Sequence, residues 1–140
     1  MANILKDKYK ILPNKTYNLD FEFPLETIPD NLIKHFIRGF IDGDGCFESE
    51  GNIFTPSIVG TSKNWLIQVG DIINLHTKLT YKIYEKVGKT CTYYTLRWSA
   101  NNKNKLEKIK LLFEFLYNDS NIYLTRKRNK IESYLKYRAN

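Results

Sequence analysis

The chain has 140 residues and a mass of 16.6 kDa, enough for one compact domain and too few for two ordinary ones. Hydrophobic residues make up 42% and aromatics 14%, which argues for a packed core and against disorder. No apolar run approaches the ~18 residues of a membrane span, and residues 1–10 lack the apolar centre of a signal peptide. Cys46 and Cys91 make neither a disulfide framework nor a metal-binding pair, so a reducing compartment is expected, cytoplasmic in a bacterium or phage, or organellar. The formal charge of +7 and pI near 9.3 favour a polyanionic partner, nucleic acid first.

In chain order, residues 1–28 carry Pro13 and Pro24 and show no helical period. Tyr17, Leu19, Phe21 and Phe23 alternate there with polar residues, the pattern of an extended arm with one edge strand. From Pro29 the period changes. Pro29 and Asp30 suit the first turn or cap of a helix, and Leu32, Ile33, Phe36, Ile37, Phe40 and Ile41 recur at helical spacing until Gly43 and Gly45. Strands are predicted over 46–50 and 53–59, turning at Gly51 and Asn52, and Ser62 caps a helix to about residue 75. A second hairpin covers 79–86 and 90–99 with its turn at Gly88. Leu106, Ile109, Leu112, Phe113 and Leu116 predict an amphipathic helix, and a last helix runs from about 122 to 137.

That order predicts an α+β domain over 29–140, a four-stranded antiparallel sheet with its helices on one face and the other face open. Alternation puts Thr80, Lys82, Tyr84 and Lys86 on one side of their strand, where Tyr93, Thr95, Arg97 and Ser99 can match them across the hairpin. Lys82, Tyr84, Lys86, Tyr93 and Arg97 are therefore the candidate DNA contacts, although the same mixture describes a solvated face. Over 53–59, Phe54 and Ile58 compete with Ile53 and Val59 for the core side, and the register stays open.

One stretch breaks a local rule: Ile37, Arg38, Gly39, Phe40, Ile41, Asp42, Gly43, Asp44 and Gly45 place two carboxylates at the negative, C-terminal end of an apolar helix. Leu32, Phe36, Gly39, Phe40 and Gly43 share one sector of that helix, and Ile33, Ile37 and Ile41 widen it, so the helix can bury two surfaces. Gly39 and Gly43 permit close approach of a second backbone, and two copies crossing here would bring their Asp44 carboxylates together. Paired carboxylates call for a proton or a divalent cation between them, and oxygen ligands favour Mg²⁺ over Zn²⁺. The residues from Asp42 to Gly45 also read as a plain helix-ending turn. A calcium loop is excluded by Cys46 and Phe47, which break its ligand spacing.

Residues 37–45, with Phe36 before them and Cys46 and Phe47 after, resemble the signature of the LAGLIDADG homing endonucleases, with Arg38 where that family usually has a small residue. The resemblance extends over residues 13–137 in the order of elements, and one motif copy is present. In that family single-motif members are homodimers whose signature helices form the interface and whose two sheets make a saddle on DNA. The resemblance implies a site-specific endonuclease that hydrolyses both strands of double-stranded DNA with Mg²⁺, for which Mn²⁺ can substitute, in the service of intron or intein mobility. It makes Asp44 the catalytic, metal-binding acid, with Gly43 a ligand through its backbone carbonyl and Asp42 a helix-ending residue. It places a basic catalytic residue within Leu124, Thr125, Arg126, Lys127 and Arg128, of which Lys127 is preferred. A water-organising polar side chain aligns near Thr61 or Ser62, and Ser62 also reads as a simple N-cap.

Residues 12–19 resemble the connector before the second motif of two-motif relatives, so the partner is either a second copy or a separate N-terminal half chain. A different reading is a non-cleaving nucleic-acid binder on the same fold, an RNA-splicing maturase or a transcription regulator. A third is a small interaction domain with a decorative acidic turn, which would show neither DNA affinity nor metal dependence.

Overall fold

A computed structural model of the chain describes residues 27–51, 53–99 and 104–139, and the edge strand expected in the N-terminal arm lies outside them. The elements are α1 (Asp30–Asp44), β1 (Gly45–Glu50), β2 (Ile53–Gly60), α2 (Lys63–Thr77), β3 (Thr80–Val87), β4 (Thr92–Ser99), α3 (Lys105–Tyr117) and α4 (Thr125–Ala139). The strands form one antiparallel sheet in the order β1-β2-β4-β3, two hairpins joined edge to edge through β2 and β4. This is the α+β arrangement that the sequence predicts. Among the described residues no helix is long and apolar enough to cross a membrane.

Local chemistry explains where the elements start and stop. Gly51 sits at φ +53°, a conformation that glycine tolerates, and turns β1 into β2. The Ser62 hydroxyl accepts from Trp65 N at 3.3 Å and starts α2, which ends at Lys78 in the left-handed region, where its N–H donates to Asn74 O at 2.8 Å. Pro29 opens α1 without a side-chain cap. Gly70 makes room for Tyr81: a Cβ there would stand 2.7 Å from the Tyr81 ring, whose hydroxyl donates to Asp71 Oδ1 at 2.6 Å.

The core lies between one face of the sheet and the helices. Phe54 and Ile58 from β2 and Leu96 and Trp98 from β4 meet Ile37 and Ile41 of α1, Leu66, Val69 and Ile73 of α2, Leu112 and Leu116 of α3, and Ile131 of α4. Each such side chain contributes about 1.5–3 kcal/mol by leaving water, which is how a sheet of four short strands holds four helices in place. The β2 register is settled by pairing: Ser57 faces Arg97 and Val59 faces Thr95, so Phe54 and Ile58 point to the core while Ile53 and Val59 stand on the open side, 59% and 49% exposed. One boundary agrees with expectation and one does not. Helix α1 stops at Asp44, between Gly43 and Gly45 as expected, whereas α4 begins at Thr125 rather than near 122, for a reason that belongs to the site.

Candidate functional site

The two acids at the foot of α1 have separate fates. Asp42 turns inward: its Oδ1 accepts from the Tyr117 hydroxyl at 2.8 Å and its Oδ2 from Leu124 N at 2.8 Å. Leu124 is the residue just before α4, and its carbonyl accepts from Lys127 N and Arg128 N of the first turn. Asp42 therefore caps the N-terminus of α4, where the helix dipole favours a negative charge. This is why α4 starts late, and it resolves the conflict posed by an acid near the C-terminus of α1: the same carboxylate serves another helix.

The clasp is reciprocal. Lys127, 5% exposed on the first turn of α4, donates through Nζ to Ile41 O at 2.6 Å and Asp42 O at 2.8 Å, capping the C-terminal carbonyls of α1. Burial, and then Arg126 beside it, push the Lys127 ammonium below its usual value, while Asp42, Cys46 and Asp44 pull it back. Burial and the Asp42 carboxylate push the Tyr117 phenol up.

Asp44 is the last residue of α1 and is exposed, as is Gly43 before it. The chain then leaves into β1 through Gly45, where a Cβ would lie 2.6 Å from Ile41 O, so only glycine permits this exit. Gly45 N–H also donates to Ile41 O. The end of α1 is thus held from three directions, and the carboxylate it presents to solvent is that of Asp44. Of the residues predicted for catalysis and metal binding, the structure brings Asp44, Gly43 and Lys127 together.

The sector of α1 predicted to meet a second copy faces outward. Leu32 is 46% and Phe36 39% exposed, Gly39 and Gly43 are exposed with no atom within 4 Å of a Cβ built on either, and Phe40 is half-buried against Trp65 at 3.8 Å between ring centroids. Arg38 is buried on another side of the helix, where Nε donates to Ile122 O at 3.0 Å and a terminal nitrogen to Leu116 O at 3.2 Å. It also meets His35 Nδ1 at 2.8 Å. Arg38 ties α1 to the α3–α4 connection. The sequence marked it as a departure from the signature and gave no sign of this role, because both carbonyls lie about 80 residues away.

The open sheet face holds the five candidate residues on one side, as their alternation predicts, and pairs Lys82 with Arg97, Tyr84 with Thr95 and Lys86 with Tyr93. Lys86 Nζ lies 5.9 Å from the Tyr93 ring centroid, and Tyr84 is 53% exposed. What the sequence reading left out is β1. Antiparallel pairing of Cys46 with Ser57 and Glu48 with Thr55 puts Cys46, Glu48 and Glu50 on the same open face, and Glu48 Oε2 accepts from Arg97 at 3.3 Å. The alternation of Cys46, Glu48 and Glu50 was the available signal. The face is therefore polarised, basic at β3 and β4 and acidic at the β1 edge. Thr61 is half-buried, and Ser62 is occupied as the α2 cap.

Among the described residues no three of His, Cys, Asp and Glu gather into a metal-sized cluster. Compared with known proteins, the chain matches no family model and no curated sequence.

Proposed function

We propose that the protein is a divalent-metal-dependent endonuclease of double-stranded DNA that works as a homodimer, with α1 of one copy against α1 of the other and both open sheet faces on the duplex. One observation carries this reading: of two acids at one helix end, Asp42 is tied into the protein while Asp44 is left exposed, at the point where the outward face of Leu32, Phe36, Gly39 and Gly43 ends. The donor set suits Mg²⁺, which takes oxygen ligands, keeps several waters and needs one or two carboxylates. The end of α1 in one protomer offers a single exposed carboxylate and the helix-end carbonyl at Gly43, so a second copy supplies the other acid. When bound, the ion would activate water and stabilise charge on the phosphate. Mn²⁺ meets the same oxygen donors.

Lys127 acts in this reading as a positioning residue, because its ammonium is bonded to the carbonyls of Ile41 and Asp42. With the Ser62 hydroxyl occupied as a cap, Thr61 is the polar residue left for ordering water. Lys82, Lys86 and Arg97, with Tyr84 and Tyr93 between them, would read the major groove or its phosphates. The free thiols Cys46 and Cys91 suit a reducing compartment, bacterial cytoplasm or an organelle.

The test is a cleavage selection on a randomised duplex library with Mg²⁺ and, in parallel, Mn²⁺. Cut products converging on one site support the reading. A parent protein that binds structured RNA and yields no cut products with either ion contradicts it and supports a maturase.

A further inference from the structure

Most of the net positive charge of this chain sits on one helix. Helix α4 carries six basic residues against Glu132 alone, a net +5 of the chain's +7. Glu132 is itself bonded to Arg128 at 3.0 Å. The open sheet face, by contrast, sets Lys82, Lys86 and Arg97 against Glu48 and Glu50. Lys127, Ile131 and Tyr134 form the buried side of α4, whereas Arg126, Lys130, Lys136 and Tyr137 are all exposed, Tyr137 by 65%. Arg126, Lys130 and Tyr137 recur at positions i, i+4 and i+11, one stripe of a helix, and Lys136 flanks it. At the far end Arg138 lies close to Lys105 of α3, and burial together with that guanidinium pushes the Lys105 ammonium down.

The stripe has a direction. Arg126 stands next to Lys127, whose Nζ holds the helix end that presents Asp44. From Arg126 to Tyr137 is ~16 Å at 1.5 Å per residue, about five base-pair rises of 3.4 Å. We infer that the exposed side of α4 is a phosphate-backbone anchor, a second surface that grips the same DNA duplex beyond the phosphate at Asp44. It rests on the DNA reading above and divides the labour of binding: α4 supplies most of the sequence-independent, salt-dependent affinity, and the polarised sheet supplies discrimination. The one exposed aromatic among these charges packs against sugar or base at the end of the track.

Binding of the full chain to a fluorescein-labelled random-sequence 30-bp duplex, without divalent metal and across a salt series, tests this. The variant Arg126→Gln/Lys130→Gln/Lys136→Gln changes exposed side chains and is compared with Lys82→Gln/Lys86→Gln/Arg97→Gln, each with its thermal midpoint. The slope of log affinity against log salt should fall by about 0.9 for each phosphate that is no longer neutralised, about 2.7 in the α4 variant, and by less than half as much in the sheet variant. An α4 variant that keeps the parent slope while the sheet variant loses it overturns the anchor and leaves the DNA reading standing. Loss in the α4 variant of affinity for a 30-nucleotide single-stranded RNA, with duplex binding untouched, overturns it in favour of an RNA surface. A parent that binds no duplex at 50 mM salt removes the DNA reading, and the anchor with it.

Discussion

The junction of α1 with α4 and the open face of the sheet hold charges in opposite ways. At the junction charge is buried and matched: Asp42 holds a hydroxyl and an amide, Lys127 holds two carbonyls, and Arg38 holds two more. On the sheet the charges are exposed, and the Glu48–Arg97 pair is long, solvated and worth little. Removing a partner is costly in the first region and cheap in the second. Asp44 lies on the boundary between them, backed by a rigid clasp and open to solvent. A carboxylate in that position can change its ligands without disturbing the fold.

The largest effect should come from cutting the clasp. Asp42→Ala removes two hydrogen bonds to a carboxylate and exposes Tyr117 and Leu124 N as unpaired donors, a loss of about 3 kcal/mol in urea unfolding. Lys127→Met leaves two carbonyls without their donor and should cost about 2 kcal/mol. Asp44→Ala should stay within about 0.5 kcal/mol of the parent. Equal losses at Asp42 and Asp44 would mean that the two acids are not divided as described.

The helix side of β3 carries a group that responds to alkali. Tyr81, on the helix side, is pushed up from 10.0 to about 12 by burial and by its bond to Asp71. The folded protein therefore holds that proton where the unfolded chain has released it, so the stabilisation is complete below pH 10 and is lost as pH rises from 10 through about 12. Tyr117 adds to the fall in the same direction. Tyr81→Phe should lose less stability than the parent between pH 10 and 12; identical curves for the two proteins would contradict the environment assigned to Tyr81.

Gly39→Leu separates folding from association. No atom lies within 4 Å of a Cβ on Gly39, so inside one protomer the change should gain about 0.8 kcal/mol from helix propensity. Sedimentation of the parent should show a dimer at micromolar concentration, and the variant should be a monomer. A variant that remains dimeric would move the interface away from this face.

The smallest effect belongs to Glu48→Gln, which frees Arg97 from its carboxylate. Stability should change by less than about 0.5 kcal/mol, while affinity for random-sequence duplex rises and its salt slope steepens by up to about one neutralised phosphate. A weaker duplex complex would mean that Glu48 itself contacts the bases.

Legibility in the sequence followed the range of the interactions. The shared face of Lys82, Lys86, Tyr93 and Arg97 could be read because two strict alternations meet across a short turn, and the pairing of Lys82 with Arg97 and Lys86 with Tyr93 is what the structure adds. The β2 register could not, since Ile53, Phe54, Ile58 and Val59 offer an apolar pair to either face and only the β4 partner decides. Ile122 and Leu124 continued the apolar period of the last helix, yet a carboxylate 82 residues earlier takes Leu124 N and sets the start of α4. The inward path of Asp42, the anchoring by Arg38 and the capping by Lys127 all depend on contacts between distant segments that no local pattern records. Asp44 was legible as a chemical anomaly, an acid at the wrong helix end. Its exposure, and the half-buried, hydrogen-bonded place of Asp42, were not.

The division between Asp42 and Asp44 is best measured by strand cleavage of a selected duplex target with Mg²⁺, using the parent and Asp44→Asn side by side, with duplex binding and urea unfolding followed on the same preparations. The expected result is loss of cleavage in Asp44→Asn with parent-like stability and binding equal to or tighter than the parent, since a negative charge facing phosphate is gone. Cleavage by Asp44→Asn at the parent rate would contradict the assignment and remove Asp44 from the chemistry.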